Sequence, residues 1–217
     1  MDNSSLHRYF LNNGNKRIHK WIHYLDIYER HFARLRGASP VMVEIGVKGG
    51  GSLEMWREYL GPGSQIIGVD IDPLCQQHEA DGIEVMIGDQ SDPALIESLF
   101  ERHPRIDIVL DDGSHVMEDM IASFGLMYDR LSESGVYMVE DTNTCYWEQY
   151  GGGVGSSQSF VELAKKKVDE LNAVHTKGEI QVSEFTRATD FIAFYDSCVV
   201  FERRRQGERQ AIITQGM

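Results

Sequence analysis

From residue 41 onward the chain alternates short runs dense in Val, Ile, Leu and Met with longer amphipathic stretches, and few folds share that rhythm. The runs are Val41–Val47, Gln65–Ile71, Ile83–Gly88, Ile106–Leu110 and Val136–Val139. Each is short and nearly continuous in apolar residues, as a strand covered on both faces requires. Ser52–Leu60 follows a Gly-rich turn, and Pro93–His103 opens with proline at a first helical position. Val116–Leu131 sets Met117, Met120, Ile121, Phe124, Met127, Tyr128 and Leu131 on one helical stripe. Strands alternating with helices predict a parallel sheet with helices on both faces.

The last third departs from the rhythm. Ser157–Val174 reads as a helix whose inner face is Phe160, Leu163, Ala164, Val168 and Leu171. Phe191–Tyr195 and Cys198–Glu202 flank Asp196-Ser197 as a hairpin, which adds an antiparallel strand to the sheet. Ahead of the sheet, Ile18, Trp21, Leu25, Tyr28, Phe32 and Leu35 step by three and four along one predicted helix, a heptad seam. The seam suits packing on the chain's own domain or a homodimer or higher homo-oligomer. The division expected is an N-terminal helical extension, 1–39, a sheet domain, 40–205, and a flexible tail, 206–217.

Composition narrows the function classes. Hydrophobic residues at 41% suffice for a full core, and no apolar run approaches the roughly 20 residues of a membrane helix, so no membrane insertion is expected. The net charge of -13 repels phosphate backbones and argues against nucleic acid as a partner. Cys75, Cys145 and Cys198 are far apart and odd in number, which fits neither a disulfide scaffold nor a zinc cluster. With no signal-peptide core in the first 30 residues, a cytoplasmic setting is expected.

Ligands of open parallel sheets bind beyond the carboxyl ends of the strands, so the residues delivered there matter most. The first strand delivers Glu44-Ile-Gly46-Val-Lys-Gly-Gly-Gly-Ser52, a loop that can approach a ligand closely and lead into a helix N-terminus. It is not the dinucleotide fingerprint, because the next glycine after Gly46 is three residues on. Asp70 closes the second strand, placed to accept hydrogen bonds from ribose hydroxyls. Gly88-Asp89-Gln90 closes the third and can meet an adenine edge. Each acid also has a local reading as a turn or helix cap. Three polar strand ends in a row favour a nucleoside-bearing ligand.

The fourth and fifth strands end in Asp111-Asp112-Gly-Ser-His115 and Glu140-Asp141-Thr142. On neighbouring strands, about 4.8 Å apart, four carboxylates crowd together and call for a cation. An all-oxygen donor set suits Mg²⁺, with Mn²⁺ as a substitute. His115, beside hard oxygen ligands, is better placed as a general base than as a magnesium ligand.

Glu44-Ile-Gly-Val, Asp111-Asp-Gly-Ser-His and Glu140-Asp-Thr together resemble the metal-dependent sugar O-methyltransferases that use S-adenosylmethionine. The likeness is to the mycinamicin VI 2''-O-methyltransferase and rhamnosyl O-methyltransferase family, with methylmannose polysaccharide 1-O-methyltransferases also similar in size. It spans about residues 40–203 and extends to Phe-Tyr-Asp-Ser at Phe194–Ser197. The resemblance implies a Rossmann-like class I methyltransferase fold, a seven-stranded, mostly parallel sheet. It implies Mg²⁺ on Asp112, Glu140 and Asp141 and His115 as catalytic base. Glu44 and Asp111 would face the methionine end of the cofactor, Asp70 its ribose and Asp89 its adenine side, with Gly46, Ser52 and Gln90 completing the cofactor set. The macrolide enzymes carry a sizeable N-terminal domain, whereas about 40 residues precede the first strand here.

After Asp141, glycines surround Tyr146, Trp147 and Tyr150, which reads as a lid offering Tyr146 and Trp147 to an acceptor sugar, or as an ordinary loop with anchoring aromatics. The expected activity is Mg²⁺-dependent methyl transfer to a hydroxyl of an antibiotic sugar, glycolipid or mannose-type oligosaccharide. An NAD-dependent dehydrogenase and a catechol-type O-methyltransferase are the alternatives.

Overall fold

The computed structural model describes residues 5–205, 207 and 210–214. Two helices, α1 (Ser5–Asn12) and α2 (Tyr24–Phe32), precede the sheet; β1 (Val41–Ile45), α3 (Gly51–Leu60), β2 (Gln65–Asp70) and β3 (Ile83–Ile87) follow. Next come α4 (Pro93–Arg102), β4 (Ile108–Asp111), α5 (Met117–Met127) and β5 (Val136–Val139). The chain ends in α6 (Phe160–Leu171), α7 (Glu184–Ala188), β6 (Thr189–Tyr195) and β7 (Cys198–Arg203). The sheet order is β3-β2-β1-β4-β5-β7-β6. Five strands pair in parallel, and β7 runs antiparallel to both β5 and β6.

Side-chain alternation sorts each strand between two cores. Val43, Ile45, Val109, Tyr137 and Val139 face α4, α5 and α6, where Phe124, Phe160 and Phe201 meet. Met42, Ile108, Leu110, Val136 and Met138 face the other way, onto α2, α3 and Trp56. Caps follow the sequence: Asp92 accepts from the Ala94 amide ahead of Pro93, and Ser159 from the Glu162 amide.

The N-terminal extension departs from its expected form. The seam helix begins only at Tyr24, so Ile18 and Trp21 lie in an irregular segment, 13–23, that joins it to α1. Leu25, Tyr28 and Phe32 are wholly buried in the chain's own second core, Tyr28 and Phe32 against the Trp56 ring. These three seam residues therefore serve the chain's own core, whereas Trp21 of the same seam stays 56% exposed. The helix expected at Ser157–Val174 is shorter at both ends. Helices α1 and α7 have no counterpart in the sequence reading. Much of the expected tail, 206–217, lies outside the described residues.

Candidate active site

The sheet order reverses between β1 and β4, and there the carboxyl ends of the strands open a cleft. Gly46, at φ 93°, turns the chain out of β1 toward α3. A Cβ at this position would run into the Asp112 carbonyl oxygen, so the contact between the two loops requires glycine. The cleft has a larger cavity of about 600 Å³ and a smaller one of about 190 Å³, with Gly46, Asp70 and Gly113 lining both.

Asp70 stands at the junction. Its Oδ2 accepts the Val47 and Lys48 amides at 2.8 and 3.0 Å, and its Oδ1 the Asp72 amide at 2.9 Å. Burial alone would raise its pKa, but hydrogen bonds from the Asp72, Lys48 and Val47 amides bring the carboxyl below the usual range. Asp89 and Gln90 line the smaller cavity with Ile45, Val69 and Ile71. Asp89 is held by the Ser91 amide and hydroxyl, which lower its pKa. Gln90 accepts from the Ser114 amide and donates toward Asp111, tying the third strand end to the fourth.

Asp111 is not where the sequence reading places it. Strand alternation turns it to the α4–α6 face, away from Glu44 and Glu140. There Ser123 donates to it at 2.6 Å, with Gln90 and Tyr137 nearby. It lines neither cavity, and burial raises its pKa. Its place in the acidic cluster falls to Glu44, which shares the α2–α3 face with Glu140 and accepts from Ser52 at 2.8 Å.

A cation already stands in this cluster. Lys20, from the irregular N-terminal segment, places Nζ 2.6 Å from Asp112 Oδ2, 3.0 Å from Glu140 Oε2 and 3.4 Å from Glu44 Oε1. Its side chain is 3% exposed. Burial would lower the lysine pKa, yet Asp112, Glu140 and Glu44 hold it well above normal. Burial pushes the Glu140 carboxyl up to about 8, against the pull of Lys20. Helix α2 supplies two more partners: Tyr28 donates to Glu140, and Tyr24 donates to Asp141 at 2.8 Å while receiving the Asp141 amide.

His115 and Asp141 adopt left-handed backbone conformations, φ 59° and 50°, which residues other than glycine rarely hold without reason. The twist aims both side chains inward. His115 Nε2 lies 3.8 Å from Asp112 Oδ1 and 3.7 Å from Asp141 Oδ2. One donor atom each from Asp112, His115 and Asp141 falls within 4.8 Å of the others. The two carboxylates at that spacing, partly open to the cleft, fit a hard divalent cation, with the imidazole standing beside them.

Tyr146 and Trp147 are 52% and 45% exposed, and neither lines a cavity. The aromatic at the mouth of the larger cavity is instead Trp21, 56% exposed, with Arg17 and His19 beside it. The sequence reading missed Lys20, Trp21, Tyr24 and Tyr28 as site residues. All four precede the sheet, in a stretch whose only signal was an apolar seam.

No family model matches the chain. Among curated proteins it is 39% identical over 163 residues to the 8-demethyl-8-alpha-L-rhamnosyl tetracenomycin-C 2'-O-methyltransferase of Streptomyces olivaceus, covering 70% of this chain and 43% of that one. The mycinamicin VI 2''-O-methyltransferase of Micromonospora griseorubida is 36% identical over 154 residues, 66% of this chain and 38% of the other. Both of these relatives are sugar O-methyltransferases. Among solved structures, the MycE methyltransferase of the mycinamycin pathway, crystallised with Mg, S-adenosylhomocysteine (SAH) and mycinamycin VI, superposes with a TM-score of 0.79. That match has 29% identity and covers 93% of this chain and 53% of MycE. The fold is therefore that of the class I methyltransferases, with β7 as the one strand running against the rest. The chain spans less than half the length of these two curated sugar O-methyltransferases.

Proposed function

We propose that this chain transfers a methyl group from S-adenosylmethionine to a hydroxyl of a sugar-bearing acceptor, with Mg²⁺ as its metal. The observation that carries the reading is the convergence of Asp112, His115 and Asp141 at the floor of a cleft that also contains Asp70 and Asp89. Asp70 accepts from the ribose hydroxyls while holding the glycine loop in place. The smaller cavity, lined by Ile45, Val69 and Ile71 with Asp89 and Gln90 at its polar side, suits the adenine. Gly46 and Ser52 border the methionine side in the larger cavity.

Asp112, Glu140 and Asp141 are the carboxylates assigned to the metal, and His115 is the base. A divalent ion held there would supply Lewis-acid polarisation of the acceptor hydroxyl. His115 removes the proton, a contribution typically worth about 10² to 10⁴ in rate. Asp112 and Asp141 flank the ring and steady the imidazolium that results. Trp21 at the mouth offers a flat apolar face to the acceptor. The carboxylate cluster and the homologues favour methyl transfer over the dehydrogenase alternative.

The test is transfer of labelled methyl to glycoside acceptors, with and without chelator. Asp112→Ala loses activity that high Mg²⁺ partly restores, whereas His115→Ala loses rate and recovers nothing from added metal. Full activity after exhaustive chelation removes the metal from the mechanism. An unimpaired His115→Ala enzyme removes the base.

A further inference from the structure

Residues 13–23 form no helix or strand, yet they lie across the mouth of the larger cavity, which Arg17, Ile18, His19, Lys20 and Trp21 all line. The segment passes against the glycine loop so closely that a Cβ at Gly51 would meet the Lys16 and Arg17 carbonyl oxygens. Lys16 pairs with Glu54 at 2.9 Å near the rim. Its deepest anchor is Lys20, whose ammonium reaches three carboxylates from different strand ends.

Two of those carboxylates, Asp112 and Glu140, belong to the set proposed for the metal. Magnesium sits about 2.0–2.1 Å from its oxygen ligands. An ammonium 2.6 Å from Asp112 Oδ2 and 3.0 Å from Glu140 Oε2 fills the space between those oxygens. Two cations cannot share it. We propose that Lys20 is a tethered cation that latches segment 13–23 over the cleft and competes with the divalent metal for Asp112 and Glu140. Metal binding then withdraws Lys20 and frees the segment, so that opening of the cleft and loading of the metal are one event. In the latched state Lys20 compensates Glu44 and Glu140, whose side chains are 0% and 1% exposed and otherwise face the sheet with surplus negative charge.

The inference rests on the metal reading above, and its test uses binding and proteolysis rather than turnover. Mn²⁺ is titrated calorimetrically into the wild-type chain and into Lys20→Met, which keeps the side-chain length and removes the charge. Competition of this kind corresponds to coupling of about 5- to 150-fold, so Lys20→Met binds Mn²⁺ at least several-fold more tightly. In the wild-type chain, saturating Mn²⁺ exposes the Lys20–Trp21 bond to trypsin, read by mass spectrometry. That second measurement decides the matter if Lys20→Met does not fold. Equal Mn²⁺ affinity in the two chains, or a Lys20–Trp21 bond that stays resistant at saturation, overturns the latch and leaves the metal reading intact. Absence of Mn²⁺ binding by both chains overturns the two together.

Discussion

Replacing Asp70 separates its two duties, because one is internal and the other faces the ligand. Inside the protein its carboxylate is the acceptor for three backbone amides at 2.8–3.0 Å, two of them in the loop that follows Gly46. Hydrogen bonds to a charged group contribute about 1.5–3 kcal/mol each when buried. Asp70 is only half-buried, so water replaces part of what Asp70→Ala removes, and a total loss of about 2 kcal/mol in unfolding free energy is expected. Toward the ligand, loss of the ribose contacts weakens cofactor binding by about 1.5–3 kcal/mol, or about 10- to 150-fold.

Calorimetry with SAH reads the second effect without turnover, and urea unfolding reads the first. The acid dependence provides a further check. The folded-state pKa lies below the ordinary value of about 3.9, so the carboxylate stabilises the fold above that value, and the contribution is lost as pH falls through the folded pKa. The stability gap between wild type and Asp70→Ala is therefore constant near neutrality and narrows below about pH 4. Unchanged SAH affinity in a folded Asp70→Ala protein would refute the ribose assignment. A gap that widens with acid would refute the amide cradle.

Two further substitutions probe the scaffold of the site. Gly46→Ala adds about 1–2 kcal/mol of left-handed backbone strain and forces the Asp112 loop away, so melting temperature and SAH affinity both fall; wild-type affinity in this variant contradicts the close approach. Tyr28→Phe strips a donor from buried Glu140 and costs about 1–3 kcal/mol in urea unfolding. Tyr24→Phe costs less, because the Asp141 side chain it serves is 28% exposed. Equal losses for the two tyrosines would contradict the burial argument.

The sheet and the acids at its strand ends were legible because they depend on local rules. Period-two and period-3.6 patterning locate β1 to β5 and α3 to α6, and the strand-end rule then locates Asp70, Asp112, His115 and Glu140 without knowledge of any partner. Asp111 defeats this reasoning because neighbours in sequence take opposite faces at a strand end. One residue decides whether a carboxylate faces the cleft or Ser123. The heptad seam at residues 18–35 misleads in another way. Its periodicity is real, but only Tyr24–Phe32 is α-helical, and the segment before it instead runs irregularly and carries Lys20 to its partners. Lys20 is separated from Asp112 by 92 residues and from Glu140 by 120. In sequence it is one lysine among other polar residues, and nothing in local propensity distinguishes it. The polarity of the cluster does imply such a residue. Glu44, Asp112, Glu140 and Asp141 at the carboxyl ends of neighbouring strands, two of them wholly buried, cannot all remain ionised without a cation. That demand is legible in the acids themselves, and it can be met by a metal or by the chain. In this fold the segment ahead of the sheet places an ammonium where the acids require positive charge, which brings the N-terminal extension into the candidate site.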